Sequence, residues 1–254
     1  LVLILITDPL FYALAIPAVL LTAIGKGGFA GSAGGLAVPA MAVVLPVPQA
    51  AAISLVLLCA MDLSGLKAWW GLWDKREMRV IIPGGIVGVG LGALLLGSLS
   101  PQMVAGLLGV ITLGFVAYRL WSTRRGLPPA APHSVVKGAI CSAASGITST
   151  LAHAGAPPLQ IYMLPRRLPR ATFAATNVVF FGVINYVKLV PYGMLGLFDW
   201  TNLLTSLVLL PLCPIGVHLG IWMQKRIPEA LFYRIVVWAL LASGLKLVWD
   251  GFIA

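Results

Sequence analysis

The sequence predicts an all-α polytopic membrane protein of two inverted repeats, each a re-entrant or broken-helix hairpin plus three transmembrane helices. Three observations lead there: an apolar composition, an internal duplication, and the placement of basic residues. Hydrophobic residues fill 60% of the 254 positions and charged residues only 9%, and the mean hydropathy is +1.00. A soluble domain cannot bury that much apolar surface. The net charge of +10 does not point to nucleic acid, because most basic residues fall in short loops between apolar runs, where they set membrane orientation. No cleavable signal-peptide pattern stands out, and Leu1 opens the chain where a Met would be expected, which leaves room for a few further residues.

Six apolar runs, roughly 48–67, 80–98, 102–121, 171–192, 201–222 and 230–249, each have about the 20 residues a helix needs to cross the hydrocarbon. Two further elements, 9–46 and 134–165, are split by Gly-rich or Gly/Pro-rich breaks, and their arms are expected to be shorter than a span. At an offset of 128 residues, Pro83, Gly88, Val89, Leu91, Gly92 and Trp121 match Pro211, Gly216, Val217, Leu219, Gly220 and Trp249. Upstream, with small gaps, Gly71-Leu72-Trp73-Asp74 answers Gly196-Leu197-Phe198-Asp199, and Lys67 answers Lys188. The chain is therefore read as repeat 1–128 and repeat 129–254, each a split element and three helices.

Basic residues decide how the split elements run. They cluster at Lys67, Lys75, Arg76 and Arg79; at Arg119, Arg124, Arg125 and Lys137; at Arg166, Arg167 and Arg170; and at Lys225 and Arg226. The segments 46–48, 98–101 and 192–201 carry none. All four clusters reach the cytoplasmic side only if 134–165 enters and leaves on that side, as a re-entrant hairpin, and by the repeat so does 9–46. Three spans per half then invert one half relative to the other. A plain eight-span chain with parallel halves is the alternative, and it puts Arg166–Arg170 on the wrong side.

The first break, Gly25-Lys26-Gly27-Gly28-Phe29-Ala30-Gly31-Ser32-Ala33-Gly34-Gly35, sets a cation among six glycines inside an apolar stretch. Such a loop is costly unless it lines a cavity or binds something. Its expected irregular backbone would offer N–H groups, and a helix starting near Leu36 would add a partial positive charge, an environment that suits an anion. Candidate ligands here are Lys26, Gly27, Gly28, Ser32 and Gly34. Close helix packing is the plainer role for glycine and accounts for Gly88 and Gly92. No Walker-type phosphate loop is present, since no Gly-Lys-Ser/Thr follows a strand.

The second break runs Gly146 to Pro158 and carries Thr148, Ser149, His153 and Gly155, with Pro157 and Pro158 starting the return arm. His153 can donate to an anion or exchange a proton near neutral pH, or act only as an interhelical hydrogen bonder. Asp62 lies well inside the 48–67 helix, where a carboxylate pairs with a cation or carries a proton; Lys26 and Lys188 are the available partners. Asn185 and Lys188 share a helical face, with Asn177 further back, and the three are expected to line the path. Lys188 has snorkelling to the interface as its alternative, the better reading for Lys67. Trp69, Trp70, Trp73 and Trp200 read as interface anchors. Cys59, Cys141 and Cys213 read as packing residues, and His133 and His218 as structural.

These residues resemble the TauE/SafE sulfite exporters of the toluene-sulfonate-uptake permease superfamily. The carriers are Lys26-Gly27-Gly28-Phe29-Ala30-Gly31 leading to Leu36-Ala37-Val38-Pro39, then Gln49-Ala50-Ala51-Ala52-Ile53, Met61-Asp62 and Pro83-Gly84-Gly85. In the second half they are Ala152-His153-Ala154-Gly155-Ala156-Pro157-Pro158 and Asn185-Tyr186-Val187-Lys188-Leu189-Val190-Pro191-Tyr192. Ala156 departs from the pattern, where a second glycine is expected. The resemblance covers nearly the whole chain and implies bacterial inner-membrane transport of sulfite, sulfonates or related anions.

The functional expectation is a transporter that binds a small anion at the midplane where the two tips meet and moves it by alternating access. Asp62 would balance charge or carry a proton, so proton coupling stays open, as does homo-oligomerisation. The lipid bilayer is the expected partner, and nucleic acid is not. No metal-ligand cluster or nucleotide fingerprint appears, so no cofactor is expected. A passive anion channel is the near alternative. An intramembrane hydrolase using Ser32 and His153 is the distant one, since it requires nucleophile and base to meet and ignores the duplication.

Overall fold

The computed structural model describes residues 5–29, 37–95, 100–124 and 130–252. All regular structure among them is helical. In chain order the helices are α1 (Pro9–Gly28), α2 (Ala37–Ala42), α3 (Val47–Trp69), α4 (Lys75–Leu95), α5 (Pro101–Arg124), α6 (Val135–Ala152) and α7 (Ala156–Met163). A 3-10 turn (Leu164–Arg166) leads on to α8 (Arg170–Met194), α9 (Trp200–Leu209), α10 (Leu212–Arg226) and α11 (Glu229–Phe252). Among the described residues five helices are long and apolar enough to span a membrane, and the bent pair α9–α10 makes a sixth candidate.

Caps explain the starts. The Asp8 carboxylate accepts from Leu10 N at 2.8 Å ahead of Pro9, Ser134 Oγ accepts from Lys137 N at 3.3 Å, and Asp199 Oδ1 accepts from Asn202 N at 2.7 Å. Asp74 does the same for α4, accepting from Arg76 N and Glu77 N at 2.8 and 3.1 Å. The matched tetrapeptides thus perform one task twice. Gly71 and Gly196 take positive φ, 77° and 69°, and the aspartate three residues later caps the next helix.

The chain divides into two compact units. The first holds residues 1–71 and 177–227. In it α1 lies against α10 with almost no side chain between them: a Cβ on Gly27 would fall 2.3 Å from Val217 O, one on Gly28 2.1 Å from Gly220 O, and one on Gly216 2.5 Å from Ala23 Cβ. Contacts advance together along both helices, so α1 and α10 run parallel. Cys213 Sγ donates to Leu57 O at 3.6 Å and Gly65 faces Val217, so α3 is parallel to α10 as well. Helix α8 runs antiparallel to α3, with Val178 beside Gly65, Gly182 beside Asp62 and Tyr186 bonded to Cys59 O. Because α1 and α3 point the same way, α3 begins at the end of the unit from which α1 sets out.

The second unit holds residues 72–176 and 228–254. Here α4 and α6 run parallel through the same device: Cβ atoms on Gly84, Gly88 and Gly92 would meet Ser142, Ala143 and Thr150, the nearest atoms at 2.2, 2.1 and 2.9 Å. Helices α5 and α11, whose bounds differ by the 128-residue offset, pack antiparallel, with Gly106 on Gly251, Gly109 on Val248 and Gly244 on Leu113. The two ends of 134–165 are tied together: Ala131 N donates to Pro165 O at 2.9 Å, and Ser134 N reaches the Tyr162 hydroxyl at 3.5 Å. That element is a hairpin.

Four expectations are corrected. Gly25 to Gly28 are helical, not irregular, because backbone contact with α10 outweighs the poor helix propensity of glycine. Helix α1 is consequently 20 residues long, about 30 Å, enough for a span by itself. The break of the second element comes at His153 rather than Gly146, so Thr148 and Ser149 are helical. The apolar run 201–222 is not one straight helix but α9 and α10, bent by 43°, since Pro211 supplies no N–H and crowds the preceding turn.

Candidate functional site

In the first unit the last turn of α1 delivers Lys26 to α3. Its Nζ lies 2.7 Å from Asp62 Oδ1, with both side chains about 5% exposed. The other carboxylate oxygen accepts from Asn185 Nδ2 at 2.9 Å. Lys188, one turn beyond Asn185 on α8, is fully buried and within electrostatic range of both Lys26 and Asp62. Lys26 Nζ also stands 5.9 Å from the centre of the Phe181 ring, a modest cation–π contact. Asn177, two turns before Asn185, is buried as well. Lys26, Asp62, Asn185 and Lys188, chosen from sequence, are therefore neighbours in one unit, while Gly27 and Gly28 pack against α10. Ser32 and Gly34 lie outside the described residues.

The chemistry of this group follows from its charges. It sets two basic side chains, Lys26 and Lys188, around one carboxylate in a buried setting. A buried ion pair is costly unless its lone pairs and protons are met, and Asn185 and Lys26 together meet both oxygens of Asp62. Beside it, a cavity of about 350 Å³ opens between α3 and α8, lined by Asp62, Leu66, Val178, Gly182, Val183 and Tyr186, among others. Asp62 thus borders a cavity whose walls are otherwise mostly apolar.

The second tip belongs to the other unit. Helix α6 ends at Ala152, and His153 takes the left-handed conformation (φ 49°, ψ 26°), its N–H reaching Ser149 O and Thr148 O. Glycine is the usual residue there, yet Gly155 has ordinary helical angles. The Thr148 hydroxyl turns back to Ala144 O at 2.9 Å. Pro157 and Pro158 open α7 as expected.

Sequence reasoning missed three features. Trp69 is not an interface anchor: it is 1% exposed, and its indole N–H donates to Gly27 O at 3.2 Å, covering one of the carbonyls that end α1. The other three tryptophans fit better, with Trp70 and Trp200 well exposed. Ser145 Oγ donates to Gly155 O at 2.6 Å and closes the second tip. Glu77 is fully buried among Tyr162, Arg166 and His133; the signal was one acid inside the basic run Lys75-Arg76-Glu77-Met78-Arg79.

Residues 15–247 match the family described as Sulfite exporter TauE/SafE. The chain is also 31% identical over 176 residues to a Comamonas testosteroni protein named "Probable inner membrane transporter protein TsaS", covering 68% of this chain and 71% of that one. No solved structure matches.

Proposed function

Because the chain belongs to the TauE/SafE sulfite exporter family, a family of membrane transporters, we propose that it carries a sulfur oxyanion or organic sulfonate across the bacterial inner membrane. The observation behind this reading is the buried Lys26–Asp62 ion pair, with the buried Lys188 amine within electrostatic range of it. An arriving oxyanion takes the Lys26 ammonium from Asp62 and the charge of Lys188, and the released carboxylate keeps its bond from Asn185 or binds a proton. The resting ion pair acts as a stand-in for substrate, which keeps Lys26 aligned while the site is empty. At the second tip we place His153, with Thr148, Ser149 and Gly155, as a separate oxyanion- or proton-binding group. Ser32, Gly34 and Asn177 remain proposed ligands on the substrate path.

Alternating access by two inverted repeats is the transport mode proposed. Three matches at or near the 128-residue offset support it: the antiparallel pair α5–α11, the two parallel glycine crossings α4–α6 and α1–α10, and the two Gly-to-Asp turns. Helices related by a repeat yet antiparallel are what inversion requires.

The test is a thermal-stability panel on purified protein with sulfite, thiosulfate, sulfate, sulfoacetate, taurine and chloride. A ligand at a hundred times its Kd stabilises by about 2.7 kcal/mol. One sulfur anion should raise the midpoint selectively, and Lys26→Met/Asp62→Leu should lose that rise. A rise that survives the double substitution would place the anion elsewhere, and no rise with any sulfur anion would overturn the substrate class.

A further inference from the structure

We infer that Glu77 is a positioning residue: it latches the base of the second hairpin to α4 and so fixes the depth of the tip that carries His153. The role at the tip rests on the function proposed above; the latch itself does not.

Glu77 sits in the first turn of α4 and is fully buried. Oε1 accepts from Arg166 Nε at 2.7 Å, and Oε2 accepts from the Tyr162 hydroxyl at 2.5 Å. His133 Nδ1 lies 3.2 Å from Oε2 and 3.3 Å from the Tyr162 oxygen. The Arg166 guanidinium also donates to Ala131 O. One carboxylate thus holds the entry of the hairpin, residues 131–134, and its exit, residues 162–166. A charge this deeply buried persists only when every lone pair is met, and here the partners come from both strands of the hairpin base.

The rest of the hairpin is built to transmit that anchor. The Tyr162 ring also bears on α6, where a Cβ on Gly138 would stand 3.1 Å from it. At the other end of α7, Ser145 Oγ holds Gly155 O. Helix α7 has only eight residues, about 12 Å, and is fixed at both ends. Helix α6 meets α4 backbone to backbone at Gly88. Hairpin and α4 therefore form one body in this unit, and Glu77 closes its base. Interior packing transmits such displacement because it has no slack.

The experiment is hydrogen–deuterium exchange on the full chain, read by peptide. Glu77→Gln should raise exchange of the 156–166 peptide about tenfold, the mark of easier local opening, and leave peptides of α1 and α3 unchanged. Tyr162→Phe, which keeps the ring, should give a smaller rise in the same peptide and serves if Glu77→Gln does not fold. The swap Glu77→Arg/Arg166→Glu should recover part of the protection. Unchanged exchange in 156–166 for both single variants would overturn the latch, as would a rise spread evenly over the chain. On the same samples, affinity for the stabilising anion should fall in Glu77→Gln and return in the swap. Raised exchange with unchanged affinity would keep the latch and sink only the role of the tip in binding.

Discussion

A lysine in a membrane-spanning helix can reach for the interface or find a counter-charge, and Lys26 takes the second course with Asp62 at 2.7 Å. Removing one partner of a buried pair costs about 3–5 kcal/mol, whereas replacing both by apolar groups is often neutral. Lys26→Ala should therefore lower the unfolding midpoint sharply, and Lys26→Met/Asp62→Leu should recover most of the loss. If the single and double variants are equally unstable, the pair is not what holds α1 to α3. His153 separates backbone from side chain in the same way. A left-handed non-glycine residue costs about 1 kcal/mol, so His153→Gly should match or exceed the parent in thermal stability while weakening anion transport. A lowered midpoint would make the imidazole structural. That Asp62 needs a cation was legible in sequence, with Lys26 and Lys188 on offer, but the choice of Lys26 was not. Trp69 was not legible: tryptophan at a helix end reads as an anchor, and only the fold brings Gly27 O to its indole.

Glycine decides the packing of elements, and α4 provides a controlled comparison within one turn. A Cβ on Gly88 would fall 2.1 Å from Ala143 O, while nothing lies within 4 Å of one on Gly90. Alanine at an unobstructed helix position gains about 1 kcal/mol over glycine. Gly90→Ala should be neutral to stabilising and Gly88→Ala strongly destabilising, by thermal unfolding in detergent. Equal effects would mean that α4 and α6 do not meet through their backbones. The same physics explains what was illegible in the elements. A run of glycines reads as a helix breaker, yet in α1 it extends the helix because the bare backbone packs on α10. The break between α9 and α10 was hidden differently: Pro83 at the matching position stays inside α4, whereas Pro211 has Pro214 three residues on and ends a helix. Five of the six long runs, 48–67, 80–98, 102–121, 171–192 and 230–249, and the hairpin at 134–165 were legible from hydropathy and charge, since both report on the solvent rather than on packing.

For the whole molecule, each unit gathers most of its basic residues at one end. In the first they are Lys67 at the end of α3 and Lys225 and Arg226 at the end of α10. In the second they stand at the start of α4, with Lys75, Arg76 and Arg79, at the start of α6, with Lys137, and at the exit of the hairpin, with Arg166 and Arg167. The opposite ends hold the starts of α3 and α9 and the end of α8, which carry no basic side chain. Positive charge is retained on the cytoplasmic side, so the proposed inverted topology predicts that the loops at 70–74 and 164–169 both face the cytoplasm. The eight-span alternative separates them, because an element that crosses at 134–165 sends its exit to the other side. Single cysteines in place of Leu72, Pro169 and Met194, labelled with a membrane-impermeant maleimide, discriminate the two. In inside-out vesicles the first two should react and the third should not, and right-side-out vesicles should give the reverse. If Leu72→Cys and Pro169→Cys react in opposite vesicles, the second element spans, the halves are parallel, and inverted alternating access falls with it.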